Sequence, residues 1–155
     1  MLKVKDLQFG YSRNGNPVLN GASLELGQGE VGILLGKNGS GKTTLINLIP
    51  RLYDAFSGSV LIDGICIEEY DAISLRQKIG MVPQKSVLFK GTIRKNLLWG
   101  NENATDADLW QALEVAQARE VVKSKAKELD AEVEQGGSNF SGGQRQRLTI
   151  ARALV

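Results

Sequence analysis

The run GKNGSGKTT, Gly36 to Thr44, constrains this chain more than any other stretch. It fits the phosphate-binding loop pattern G-x-x-x-x-G-K-[ST], with Gly36, Gly41, Lys42 and Thr43 at the fixed positions. The apolar run Val31 to Leu35 before it reads as a buried strand, and Thr44 to Ile49 after it as a helix. Glycines let the backbone curl into a concave loop whose N–H groups, backed by the helix N-terminus, face a polyphosphate. Lys42 is expected to reach the outer phosphates, and the Thr43 hydroxyl to ligate Mg²⁺. The candidate nucleotide-binding residues of the loop are therefore Gly36, Asn38, Gly39, Ser40, Gly41, Lys42, Thr43 and Thr44.

Composition bounds the remaining possibilities. A chain of 155 residues, 42% of them hydrophobic, can bury one core of ordinary size. Basic and acidic residues nearly cancel, 19 against 17, which gives no argument for a nucleic-acid partner. The single cysteine, Cys66, lies in an apolar strand pattern; it is expected to be a small core residue in a reduced, intracellular setting. No stretch approaches the apolar length of a membrane span, and the N-terminus does not read as a signal peptide.

Along the chain, Leu2, Val4, Leu7 and Phe9 alternate as in a strand. The turn-rich Ser12 to Pro17 and a second run, Val18 to Leu26, make an antiparallel hairpin or meander. Pro50 is expected to end the helix after the loop. Ser59 to Ile67 reads as a second hairpin turning at Asp63-Gly64. Ala72 to Lys78 reads as a short helix, and Ile79 to Val82 as another buried strand leading to Pro83-Gln84. Past Gly91 the character turns helical: Thr105 with Asp108 is a capping-box-like start, and Leu109, Leu113 and Ala116 follow at helical spacing. The segment from Gly91 to about Gly137 looks like a helical insert in an α/β core. Lys123, Lys125 and Lys127 read as a solvated helix face.

A second motif, Ser141-Gly142-Gly143-Gln144, follows 105 residues beyond Gly36 and leads into the helical Leu148 to Leu154. Alone it could be a plain turn capping a helix. In company with the loop it resembles the signature of the ATP-binding cassette family, usually LSGGQ, here with Phe140 in place of Leu. Leu88 to Asn96 and Val133 to Gly137 are similar to the matching segments of exporter-type cassettes. The resemblance covers the whole chain in order. It implies a phosphate-loop α/β core with an antiparallel β-subdomain and a helical signature subdomain, divided near residue 90. It implies that Tyr11 stacks on adenine through its ring face, that Val18 lies at the nucleotide, and that Gln84 touches Mg²⁺ and the membrane partner. It also implies that Ser141, Gly142, Gly143 and Gln144 meet the nucleotide of a second cassette, head to tail. Arg145, Arg147 and Arg152 are given no direct role.

The expected function is that of a MgATP-binding domain driving an exporter's membrane domain from the cytoplasmic face. Family members continue with a strand carrying an aspartate and a catalytic glutamate, then a switch histidine. This sequence stops at Val155 and contains no histidine. It is therefore expected to be a truncated domain, poorly folded alone, with no catalytic residue and no hydrolysis of its own. The rival readings are a phosphate-loop kinase or other soluble NTPase, a non-transport cassette, and a binding module that never hydrolyses. The transported substrate is not legible in this stretch.

Overall fold

The strand Leu2–Phe9 (β1) is paired on both edges, and the first half of the chain is built on it. The computed structural model describes residues 1–12 and 15–155; Arg13 and Asn14, in the expected Ser12–Pro17 turn, lie outside the described residues. Leu19–Leu26 (β2) runs antiparallel to β1 on one side and Ser57–Ile62 (β3) on the other, with Ile65–Cys66 (β4) beyond it. Alternation, reset by an irregularity between Val4 and Leu7 where Asp6 is left-handed (φ 44°), makes one face of this sheet apolar. Val4, Leu7, Phe9 and Val60 are buried there with Leu45 and Leu48 of the helix Lys42–Leu48 (α1) and Leu75 of the helix Ala72–Gln77 (α2). The β3–β4 hairpin turns where expected, with Asp63 (φ 53°) and Gly64 (φ 83°) both left-handed, the pattern of a type I′ turn. α1 stops at Leu48 with Ile49 as cap, ahead of Pro50. α2 starts at Asp71, whose carboxylate accepts from the N–H groups of Ile73 (3.1 Å) and Ser74 (3.0 Å); these bonds hold its pKa below the usual value.

The described residues form two compact units, Met1–Ile79 and Gly80–Val155, each with its own core. In the second, a two-residue ladder joins Gly91–Thr92 (β5) to Glu132–Val133 (β6). Around it pack the helices Ile93–Leu98 (α3), Asp106–Val115 (α4), Arg119–Lys123 (α5) and Gly142–Leu154 (α6). α4 begins with the expected capping box: the Thr105 hydroxyl accepts from the Asp108 N–H, and the Asp108 carboxylate accepts from the Thr105 N–H at 2.8 Å. Leu109, Leu113 and Ala116 are all buried, as their spacing predicts. Arg94 on α3 ties down the α4 start through Asp106 and the turn at Glu128–Asp130 through Asp130 at 2.9 Å.

Two expected strands are not strands. Val31 to Leu35 and Ile79 to Val82 form no ladder among the described residues. Most of their apolar side chains are open rather than buried, Val31 at 88% and Leu35 at 87% exposure, while Ile79 is half-buried against the first unit's core. The reason is that an apolar run records a preference for burial, whereas a strand exists only when neighbouring backbone completes its hydrogen bonds. The sheet of the first unit is complete without either segment. Cys66, expected in the core, is only half-buried at the short edge strand β4.

Asn96 explains a constraint that spacing does not reveal. It is 3% exposed; its carbonyl accepts from the Phe89 N–H (2.8 Å), and its amide donates to the carbonyls of Phe89 (2.8 Å) and Thr92 (2.9 Å). Asn96→Ala strands these backbone groups, so we expect a loss of about 3 kcal/mol. Urea unfolding followed by emission of Trp99 and Trp110, both in this unit, measures it; a change within about 0.5 kcal/mol would mean that water replaces the amide.

Candidate functional site

The loop before α1 is shaped around its own lysine. Lys42 Nζ donates to the carbonyls of Gly36 and Lys37, each at 2.8 Å, and to Ser40 Oγ at 3.2 Å. Three ammonium hydrogens thus meet three oxygens inside the loop. A Cβ at residue 36 would lie 2.7 Å from Ser40 Oγ, so a side chain there would force Ser40 to shift. Gly41 turns the chain into α1 at φ 86°, in the left-handed region. No side chain caps α1. Its first-turn N–H groups are therefore left for an outside acceptor, which is the electrostatic requirement for anion binding. Asn38, Gly39, Ser40 and Thr43 are all exposed around this concavity. A ring of donors with a retractable cation at its centre fits a polyphosphate.

The end of the sheet supplies the second part. Val18 N–H donates to the Phe9 carbonyl at 2.7 Å, closing β1 against β2 just before Tyr11 and beside Gly41. A Cβ at Gly41 would lie 3.2 Å from the Val18 carbonyl oxygen, so Val18 flanks the loop. Tyr11 is 62% exposed, with its ring edge-to-face against Phe9 (centroids 5.2 Å) and Tyr53 (5.6 Å). Its hydroxyl lies 3.0 Å from Thr44 Oγ1, on the first turn of α1. Tyr53 and Phe56 complete the cluster around Phe9. Phe9 to Tyr11 and Tyr53 to Phe56 line an open hollow of about 740 Å³. Tyr53 and Phe56 are absent from the sequence-based set. Their only signal was two aromatics in the turn-rich stretch after Pro50.

The remaining candidates lie in the second unit. Gln84 is exposed on the irregular segment before Leu88. Ser141 caps α6: its hydroxyl accepts from the Gln144 N–H (3.3 Å), and the Gln144 side-chain oxygen accepts from the Ser141 N–H (2.9 Å). The cap is therefore real, while Ser141, Gly142 and Gly143 stay exposed and Gln144 is half-buried. Arg145 does not pair with acids. It donates to the carbonyls of Phe140 (2.6 Å) and Gly137 (3.3 Å), bracing the turn that precedes the motif. Arg152 donates to the Val87 carbonyl (3.2 Å) and lies over the Phe89 ring; burial pulls its pKa below the ordinary guanidinium value. Thr43 and Gln84, the expected Mg²⁺ contacts, belong to different units. No cluster of three or more carboxylate or thiol ligands occurs among the described residues.

Comparison with known proteins gives this arrangement its class. The family model described as ABC transporter matches residues 19–155. The chain belongs to that family, and its fold is that of an exporter-type nucleotide-binding domain. An uncharacterized ABC transporter ATP-binding protein of Mycobacterium tuberculosis is 44% identical over 158 residues, covering 100% of this chain and 27% of the relative. A protein of Staphylococcus aureus bearing the name multidrug export ATP-binding/permease protein is 41% identical, over 99% of this chain and 27% of its own length. The solved structure of a bacterial Atm1-family ABC exporter with ATP bound superimposes with a TM-score of 0.91 at 37% identity, over 99% of this chain and 27% of that one. The chain thus spans about a quarter of the length of these relatives.

The two left-handed loop glycines differ in what surrounds them. At Gly39 (φ 81°) an added Cβ meets nothing within 4 Å, whereas at Gly41 it meets Leu19 Cδ2 at 2.8 Å. We expect Gly39→Ala to cost about 1 kcal/mol of backbone strain and Gly41→Ala at least about 1 kcal/mol more from the clash. Paired thermal melts check the order; equal shifts would mean that Val18 and Leu19 yield freely.

Proposed function

We propose that this chain is the MgATP-binding domain of an exporter, acting at the cytoplasmic membrane face through a membrane-domain partner. The observation that carries the reading is the cradle at Gly36 to Thr44, in which a lysine ammonium is already held among oxygens where phosphate oxygens would sit. Adenine would rest in the aromatic hollow against the Tyr11 ring, beside Val18, while Asn38 to Thr44 take the phosphates. Thr43 and Gln84 would contribute oxygens to Mg²⁺, an ion whose charge offsets that of the outer phosphates. No helix among the described residues is long and apolar enough to cross a membrane.

The signature segment supports a second cassette as partner. Neither Gly142 nor Gly143 has a positive φ, and an added Cβ would meet nothing within 4 Å at Gly143 and only the Arg145 guanidinium at 4.0 Å for Gly142. The fold of this chain gives no reason for glycine at these positions. Close approach by something outside it does. In a head-to-tail pair that visitor would be the terminal phosphate bound by the other copy, met by Ser141, Gly142, Gly143 and Gln144.

Lys42→Ala leaves the phosphates with neutral donors and removes a charge-assisted contact of about 1.5–3 kcal/mol. Titration calorimetry with MgATP should therefore read a ten- to hundredfold weaker Kd. Unchanged affinity would sink the assignment of the loop.

We further propose that these 155 residues bind ATP without turning it over. Lys42 would offset charge on the transferred group, yet no residue of the set is a base positioned to orient a water. Phosphate release by the purified chain should stay at background. Turnover at an ordinary ATPase rate that disappears with Lys42→Ala would show instead that the base lies within this sequence.

A further inference from the structure

We infer that the Tyr11 hydroxyl acts on the phosphate end of the nucleotide, through Thr44, and so couples recognition of the base to recognition of the phosphates. The inference rests on the nucleotide-binding reading above and adds a positioning role to a residue whose ring alone that reading uses. Stacking has no use for a phenolic oxygen. Yet that oxygen lies 3.0 Å from Thr44 Oγ1, across 33 residues of sequence. Thr44 itself is 5% exposed and sits on the first turn of α1, two residues past Lys42.

The chemistry of two hydroxyls sets the direction. A phenol is the stronger proton donor of the pair, so Tyr11 donates and Thr44 Oγ1 accepts. The Thr44 proton is then free to point out of the contact toward a phosphate oxygen, and a hydroxyl that accepts one bond donates the next more strongly. The contact also fixes both partners. The Tyr11 ring is held edge-to-face against Phe9 and Tyr53, and the Thr44 rotamer is fixed before any ligand arrives. Removing the phenolic oxygen frees the Thr44 hydroxyl to turn back onto its own helix, the ordinary habit of a helical threonine.

The test separates the hydroxyl from the ring by using a ligand without a base. Magnesium inorganic triphosphate offers nothing for Tyr11 to stack on. Calorimetry with this ligand and with MgATP is run on the parent, Tyr11→Phe, Thr44→Val, Thr44→Ser and the Tyr11→Phe/Thr44→Val double variant. We expect Tyr11→Phe to weaken triphosphate binding about threefold, the effect to vanish in the Thr44→Val background, and Thr44→Ser to keep it. Unchanged triphosphate affinity in Tyr11→Phe overturns the inference, and so does an equal loss with and without the Thr44 hydroxyl. Tyr11 is on the surface, so its Phe variant retains the fold and the triphosphate arm decides even if Thr44→Val melts. Failure of the parent to bind either ligand would overturn the nucleotide reading itself, and this inference with it.

Discussion

The closing bond between Phe9 and Val18 is the point on which the candidate site hangs. Val18 N–H reaches the Phe9 carbonyl at 2.7 Å, and the pairing Phe9↔Leu19 follows at once. That single register decision places Tyr11 just beyond one strand and Val18 just before the other, at the same end of the sheet. Leu19 and Val18 then form the wall against which Gly41 turns. A shift of one residue in this ladder would exchange buried for exposed positions along β2 and carry Val18 away from the loop. Phe9, 4% exposed, anchors the same corner from inside and presents its ring to Tyr11, Tyr53 and Phe56. The aromatic hollow is thus a by-product of how one strand pair ends.

The loop obeys a different constraint, one of charge. An ammonium near the start of a helix faces the positive end of the helix dipole and needs oxygens around it. Lys42 finds two carbonyls and a hydroxyl, all from residues 36 to 40. These are neutral oxygens, so a phosphate is the stronger partner for the same ammonium. Arrival of a phosphate therefore exchanges contacts rather than creating them from nothing. This limits the net worth of the lysine to the difference between two sets of bonds.

Much of this was legible because it is local. Asp63-Gly64 specifies its hairpin through left-handed backbone at two adjacent residues, and Thr105 with Asp108 specifies a helix start within four. Ser141 with Gln144 does the same for α6. The misreading of Val31 to Leu35 and Ile79 to Val82 has the opposite origin. Their residues say that they prefer burial, but pairing depends on backbone far away in sequence, which no local pattern encodes. The aromatic corner was half legible for a similar reason. Tyr11 was singled out by the family resemblance, whereas Tyr53 and Phe56 reach the aromatic corner only through the path of the chain after α1. Asn96 shows the limit from the side of polar groups: its three bonds to backbone follow from a turn geometry that residue spacing does not disclose.

Ser141 to Gln144 carry the argument one step further. The capping box satisfies the Ser141 and Gln144 N–H groups by turning both side chains back onto the backbone. The N–H groups of Gly142 and Gly143 lie between them, on a helical first turn that offers them no intrahelical acceptor. The cap and the proposed phosphate contact are therefore complementary rather than competing. Side chains at the ends hold the turn rigid, and the glycines between keep two donors uncovered. Arg145 fixes the approach by holding the Phe140 and Gly137 carbonyls. Phe140 is itself buried, with Lys125 over its ring at 4.8 Å. The Phe that stands where the signature usually has Leu is thereby absorbed inside the second unit's core.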